Sequence, residues 1–210
     1  MAKLVGGPLG SYRGKAGGTI GSSWKGISVI KSMPLSVANP KTAAQTAQRL
    51  KFAACIAVAR LLLSDLITTF WNPFAKKMSG INAFVKQNID CFVTGLFSVP
   101  EDFSAARGIL MGVTGLTVEA TEADHTIQCE WTDNSGVGDA LATDLARLVV
   151  WHQEQNVWKV FLPAKDREDA LFQVEDTVFS DGDNLHCYFF FARPDVSRIS
   201  DSYYKTIVAS

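Results

Sequence analysis

The stretch LHCYFFFA, residues 185–192, is rich in aromatic residues. It is the sixth of seven short apolar runs in the C-terminal half of the chain. Side chains alternate between the two faces of a strand. One predicted apolar face therefore carries Leu185, Cys187, Phe189 and Phe191. Tyr188 points to the opposite face, unless a β-bulge reverses the alternation. The run predicts a strand that places one face in a hydrophobic core.

The neighbouring runs extend this pattern over the C-terminal half. They are rich in β-branched and aromatic residues and are separated by turn residues: Gly115–Ala120, Thr126–Trp131, Leu145–His152, Val157–Leu162, Leu171–Val174 and Tyr203–Val208. Seven short strands in about 100 residues are typical of an antiparallel β-sandwich. Ile127, Cys129 and Trp131 share one face by the same alternation, so Trp131 is expected in the core. We predict a β-sandwich domain over residues 105–210.

The middle of the chain predicts a helical hairpin over residues 39–104. Asn39-Pro40 and Asn72-Pro73 each place a capping residue before a proline, which favours the start of a helix. The first start predicts a helix over Lys41–Thr69, and the second predicts one over Phe74–Phe92, both with an apolar face. Two helices joined by a short connection are typical of an antiparallel hairpin. The predicted fold class is therefore α+β.

The first 38 residues predict an extended, glycine-rich basic arm. Eight of the sixteen glycines lie within residues 1–26. Glycine loses much conformational entropy on folding and adds no side chain to bury, so the arm is not expected to build its own core. Its residues Ile27, Val29 and Lys31 nevertheless alternate as in a strand. We expect it to order against another surface, such as the sheet edge of a neighbouring copy; a flexible tail is the alternative.

Charge is divided unevenly along the sequence. Residues 1–100 hold twelve Lys or Arg against two acids, whereas residues 101–210 hold eight against nineteen. Such asymmetry indicates a basic surface that meets something acidic. Nucleic acid, an anionic membrane and the acidic half of a neighbouring copy all fit, and only the last balances the charges without another partner. Two solvated faces of opposite sign remain the simplest alternative.

These features favour a structural subunit that self-assembles, such as a phage virion component or an extracellular filament or tube. Apolar residues of the arm would supply affinity, and charges would set register between copies joined head to tail. The residues predicted to carry the assembly are Arg13, Lys15, Ile20, Trp24, Lys25, Ile27, Val29, Lys31, Asp166, Glu168 and Asp169. The expected partners are other copies of the chain and other virion or surface proteins.

The alternative is a binding module whose basic N-terminal half contacts nucleic acid and whose sandwich binds protein or glycan. The basic residues are interleaved with glycine and alanine rather than with stacking aromatics, which disfavours nucleic acid.

No apolar run reaches the roughly 18 residues of a membrane span. Residues 1–15 carry glycines where a signal peptide needs an apolar core. We therefore expect a virion or extracellular assembly whose subunits are cytoplasmic before they assemble.

Catalytic and metal-binding motifs are not recognisable. Gly14-Lys15 resembles a phosphate-binding loop, but Leu9 and Ala16 stand where that motif needs glycine and Ser or Thr. The three histidines fall in three different strand regions with no nucleophile beside them. The sequence therefore predicts no enzyme and no catalytic, cofactor-binding or metal-binding residue. A pocket that converges on His152 or His186 with carboxylates would point instead to an enzyme.

The four cysteines do not identify the compartment. They are far apart, with no Cys-x-x-Cys pair and no histidine pair nearby, which disfavours a zinc site. Cys129 and Cys187 lie on two predicted strands of the sandwich, at a spacing that an inter-sheet disulfide would fit. Without a signal peptide, buried free thiols are the expected state.

The chain resembles known proteins in two respects. Trp131, the aromatic sixth strand and the Ser200–Tyr203 lead into the last strand make the β half resemble a fibronectin type III or immunoglobulin-like module. Over most of its length the chain is similar to a family from Bacteroidetes and their phages. The motifs that carry this similarity are GKAG at 14–17, SSWKG at 22–26, Pro34, RLKF at 49–52, WTDN at 131–134 and SDSYY at 200–204. The resemblance implies this architecture and supplies no catalytic residues.

Overall fold

The computed structural model describes residues 3–4, 12–24, 27–36, 39 and 41–210. The fold is mixed α+β, and the chain divides into two compact units, Met1–Thr42 and Ala43–Ser210. The helices are α1 (Ala43–Leu61), α2 (Thr68–Phe70) and α3 (Gly80–Asn88). The strands of the first unit are β1 (Lys3–Leu4), β2 (Tyr12–Ala16), β3 (Thr19–Trp24) and β4 (Ile27–Ser32). Those of the second are β5 (Phe92–Val93), β6 (Leu96–Phe97), β7 (Thr114–Thr121), β8 (Thr126–Thr132), β9 (Leu145–His152), β10 (Val157–Phe161), β11 (Leu171–Glu175), β12 (Asn184–Ala192) and β13 (Tyr203–Val208).

The glycine-rich segment forms an antiparallel sheet in the order β1-β2-β3-β4. This differs from the expected extended arm with a single strand, and the glycines themselves are the reason. Gly17 has a φ of 55° in the turn between β2 and β3, a backbone conformation that glycine adopts without strain. Gly21 faces Gly14 across these strands, and a Cβ on Gly21 would clash with the carbonyl oxygen of Tyr12. Glycine thus permits close strand pairing here.

The C-terminal half forms two packed antiparallel sheets, which confirms the predicted β-sandwich. One sheet has the order β10-β9-β12-β13 and the other the order β11-β8-β7. Ile127, Cys129 and Trp131 are buried between them with Cys187 and Phe189, as the alternation predicts. The indole Nε1 of Trp131 donates to a backbone carbonyl at 2.8 Å, so the large ring is buried without an unpaired donor.

Strand β12 is buried on both of its faces, which the sequence pattern did not predict. Its register with β9 is continuous, so no bulge reverses Tyr188. Tyr188 and Phe190 therefore leave the sandwich core and join a second hydrophobic cluster with the helices. Phe190 meets Phe70 of α2 with ring centroids 5.1 Å apart, and the Tyr188 hydroxyl donates to the Pro100 carbonyl at 2.8 Å. The helices thus add a third layer to the sandwich.

The first predicted helix is interrupted before its expected end. Helix α1 ends at Leu61 and is followed by a π-helical turn, Leu63–Ile67, before α2. In this turn the Ile67 N–H donates to the Leu62 carbonyl at 2.9 Å. The wider turn rotates the chain so that Leu66 and Ile67, which are adjacent, are both fully buried.

The second predicted helix begins later than expected, at Gly80 instead of Phe74. Asn72–Phe74 forms a short 3₁₀ turn. The Asn72 side chain then accepts a hydrogen bond at 2.8 Å from the Gly80 N–H, and Ser79 caps the helix. The Asn-Pro signal therefore starts a turn whose side chain caps the next helix. Among the helices of the described residues, none has the length and apolar character needed to cross a bilayer.

Candidate functional site

Strand β4 is an exposed sheet edge with apolar side chains on both faces. It stands at the end of its sheet and, within the part of the chain that the structure describes, pairs only with β3. Ile27 is 60% exposed on one face and Ile30 is 59% exposed on the other. The residues that follow, Met33 and Leu35, are also exposed. An open strand edge with exposed apolar side chains is a template for pairing with another chain.

The sheet register brings most of the predicted assembly residues of the N-terminal segment onto one face. Lys15 lies opposite Ile20, and Ile20 lies opposite Lys31. Alternation along the strands adds the others to this basic face, which consists of Arg13, Lys15, Ile20, Ile27, Val29 and Lys31. Lys25 and the side chain of Trp24 lie outside the described residues. The basic residues of the face are solvent-exposed.

The predicted acidic partners share one turn, but local structure engages two of them. Asp166 and Asp169 form a capping box around the 3₁₀ turn Arg167–Asp169, and Asp169 accepts from the Asp166 N–H at 2.9 Å. Glu168 is exposed in the same turn. Arg167, which lies between these acids in sequence, is completely buried. The two aspartates therefore shape the turn, and Glu168 is the acid best placed for an outside partner.

An aromatic groove of about 720 Å³ lies in the second unit between α1 and the outer face of the four-stranded sheet. One wall is aliphatic and comes from α1: Ala54, Ala57, Val58 and Leu61. The other is aromatic: Phe97, Trp151 and Trp158. Leu61 and Leu96, at its margin, are each about two-thirds exposed. A concave site of this size with apolar walls and few polar groups is typical of a binding site.

Cross-strand pairing builds the aromatic wall. Trp158 pairs with Trp151, and Trp151 pairs with His186, so the three rings stand side by side on neighbouring strands. The ring centroids are 5.9 Å apart in the first pair and 4.9 Å apart in the second. Phe97 of β6 meets Trp151 edge to face at 4.6 Å. These contacts fix the rings before any ligand arrives, which reduces the entropy cost of binding.

Polar groups occur at selected points of the groove. The indole Nε1 of Trp158 is buried and has no hydrogen-bond partner among the described residues, although that of Trp151 donates to Asn156 at 3.2 Å. An unpaired buried donor costs about 1–3 kcal/mol. The exposed carboxylate of Glu101 also lines the groove.

His186 is part of the groove wall, and both of its ring nitrogens are engaged. Nδ1 lies 2.8 Å from the Tyr204 hydroxyl, and Nε2 lies 2.9 Å from Oε1 of Gln153. Burial lowers the pKa of His186 below its ordinary value of 6.5, so the neutral ring is favoured. These contacts hold the ring in place as part of the wall. That the chain is not an enzyme stays a prediction.

His152 lies on the opposite face of the sheet from His186, because it pairs with the residue before it, Leu185. It is fully buried, and its Nε2 lies 3.0 Å from Oδ2 of Asp176. Lys159 donates to the other oxygen of Asp176 at 2.7 Å. Pairing therefore directs the two histidines to different sites, whereas the sequence could only assign them to different runs.

Acid is expected to destabilise the protein through Asp176. Burial raises the pKa of Asp176, but the His152 ring beside it and hydrogen bonds from Lys159 and a backbone N–H outweigh this and hold it below the ordinary 3.8. The unfolded chain therefore takes up this proton first, and the stabilisation present above about pH 4 is lost as pH falls through the folded pKa. We expect Asp176→Asn to flatten the pH dependence of the free energy of unfolding below about pH 4, as measured by urea denaturation at a series of pH values.

The exposed neighbour Glu175 provides the control for this experiment. Glu175→Gln should leave the acid limb of the stability curve unchanged. An equal flattening in both variants would show that Asp176 is not the group responsible.

All four cysteines are free and buried. Cys129 and Cys187 lie in the same core cluster, on opposite sheets of the sandwich. Burial raises the pKa of the Cys187 thiol to about 12 and that of Cys129 well above its ordinary value. Both therefore remain protonated at neutral pH, where a thiolate would be the reactive form.

Comparison with known proteins gives a family and several distant structural neighbours, of which two are described here. Residues 11–206 match the model of a family of unknown function, DUF6266. An Fn3-like protein from Clostridium thermocellum is 11% identical, with a TM-score of 0.33 over 48% of this chain and 93% of that one. A family 76 glycoside hydrolase from a bovine Bacteroides thetaiotaomicron strain is 12% identical, with a TM-score of 0.34 over 48% of this chain and 20% of that one. No curated protein matches. The match over nearly the whole length shows that this chain belongs to the DUF6266 family.

Proposed function

We propose that the chain is a structural subunit that assembles with copies of itself through its N-terminal sheet. The observation that carries this proposal is strand β4, a sheet edge that has no partner strand among the described residues, with Ile27 and Ile30 each about 60% exposed on opposite faces. Such an edge left in water favours association, which soluble monomers normally prevent with charges or prolines. The proposal includes a virion or extracellular location and an origin in Bacteroidetes or their phages.

Charge supports assembly between unlike surfaces of the subunit. The first 42 residues carry six Lys or Arg and no acid, whereas residues 101–210 carry an excess of eleven acids. Like copies of the basic face repel one another, so the N-terminal sheet of one copy is better matched to the acidic body of the next. Contacts between two different surfaces propagate into rings or open helices.

Ile27→Lys/Ile30→Lys is expected to convert the assembly to monomers. Two added lysines on the exposed edge oppose strand pairing and apolar contact without removing a buried side chain. Sedimentation velocity over a concentration series measures the result for this variant and the wild type. A double variant that assembles as the wild type does would contradict the proposal.

Ile109 offers a matched control on the second unit, since it is 80% exposed and lies outside the N-terminal sheet. Ile109→Lys makes the same chemical change and should leave assembly intact. Equal losses in both variants would show that surface apolarity in general, rather than strand β4, drives association.

A nucleic-acid-binding module remains the second candidate, favoured by the placement of Arg13, Lys15 and Lys31 on one face of the N-terminal sheet. Phosphate contacts make binding fall steeply with salt. A labelled oligonucleotide whose affinity drops as salt rises, and drops again in Lys15→Glu/Lys31→Glu, would support this candidate.

A further inference from the structure

We infer that the aromatic groove of one copy is the docking site for strand β4 of a second copy. This inference rests on the proposed function and names the surface that receives the exposed edge. It assigns a role to a groove that nothing in the sequence pattern indicated.

The shapes of the two partners are complementary in one specific respect. The groove has two apolar walls, the aliphatic residues of α1 and the aromatic rings of Phe97, Trp151 and Trp158. Strand β4 carries apolar side chains on both faces, with Ile27 and Val29 on one and Ile30 on the other. A strand of this kind that enters the groove edge first meets both walls at once. A peptide with only one apolar face would leave one wall uncovered.

Polar groups on the two sides also match. The outer edge of β4 has no partner strand among the described residues, so its carbonyl oxygens are open to donors. The exposed amide side chains of Gln153 and Asn156 line the groove and carry N–H donors. A bond from either amide to a carbonyl of β4 would fix the register of the strand, as in strand addition to other proteins.

Charge points to this occupant rather than to an acidic peptide. Glu101 lines the groove and Asp102 follows it. Lys31 lies on the face of β4 that also carries Ile27 and Val29, and the first 42 residues contain no acid. Entry of β4 therefore brings lysine toward glutamate. An exposed pair of this kind selects orientation and adds little to affinity.

Two alanines on one helix provide the first test. Ala57 lines the groove and Ala53 does not, yet both are exposed on α1 one turn apart. Ala57→Arg fills the groove and should weaken association about tenfold or more. Ala53→Arg adds the same charge and should leave it unchanged. Sedimentation velocity measures both, with thermal unfolding to confirm that each variant is folded.

Cysteine pairing provides the second test and identifies the occupant. Copies with Ile30→Cys are mixed with copies with Ala57→Cys and oxidised by oxidised glutathione, and the native cysteines stay buried. A reducible dimer that forms in the mixture, and in neither variant alone, supports docking between copies. A third sample is a single chain that carries both substitutions. If this chain cross-links within itself and stays monomeric, and no dimer forms in the mixture, the occupant of the groove is not a second copy.

Failure of this inference can be distinguished from failure of the proposed function. A wild-type protein that is monomeric at every concentration contradicts the proposed function, and this inference with it. Assembly that depends on Ile27 and Ile30 but resists Ala57→Arg, without the cross-link, contradicts the groove as the docking site and leaves the proposed function in place.

Discussion

Arg167→Ala is expected to lower the free energy of unfolding by about 3–5 kcal/mol, because it removes the nearer of the two cations beside the buried Asp144 carboxylate, the other being Arg193 at 3.9 Å. Arg167 is completely buried, and its Nη2 lies 3.1 Å from Oδ2 of Asp144, which is also fully buried. Its other bonds reach Asn134 Oδ1 at 2.6 Å and the Met111 carbonyl at 2.9 Å. The loss therefore extends to three separate segments of the chain.

The guanidinium also packs on the sandwich core, with its central carbon 3.8 Å from the centre of the Phe191 ring. An arginine stacks on an aromatic face and bonds several acceptors in one plane, which lysine cannot reproduce. Arg167→Lys is therefore expected to keep the charge and still lose a large part of the stability. Urea denaturation followed by tryptophan fluorescence measures both variants.

A double variant separates the weakened charge compensation from the lost contacts. Arg167→Met/Asp144→Asn removes both charges and should recover part of the stability lost in Arg167→Met alone. A double variant that is less stable than the single one would contradict the weakened charge compensation of Asp144 as the main cause.

Phe190→Ala and Phe189→Ala are each expected to cost about 3–5 kcal/mol, although they act on different layers. Both side chains are completely buried on β12. Between the two sheets, the ring centroids of Phe189 and Trp131 are 5.2 Å apart. Under the helices, the ring centroids of Phe190 and Phe70 are 5.1 Å apart. The first substitution opens a cavity in the sandwich, and the second opens one between the sheet and the helices.

Hydrogen exchange distinguishes the two variants where their stabilities do not. Phe190→Ala should raise amide exchange first in residues 43–103, whereas Phe189→Ala should raise it in the sandwich strands. Phe52→Ala, at a phenylalanine that is 51% exposed on α1, is the control and should cost about 1 kcal/mol or less. A Phe190 variant as stable as this control would mean that the helices do not pack on β12.

The predicted sandwich strands and their core face were confirmed, because alternation is a local property of strands. Each residue of the Ile127–Trp131 run occupies the face that the period of two assigns to it. The burial of Arg167 is a different case, because its neighbours in sequence are charged and nothing in the sequence indicates that it is buried. Its partners Met111, Asn134 and Asp144 are between 23 and 56 residues away.

The sequence by itself determined which residues form the sandwich strands, where the helical region lies and how charge is divided. Only the tertiary structure decided that helices cover the second face of β12, that strand pairing aligns Trp158, Trp151 and His186, and that the glycine-rich segment pairs its own strands. The physical reason is contact range. Periodicity reports the face of an element, but the surface that covers that face is set by residues distant in the chain, as Phe70 and Pro100 are from β12.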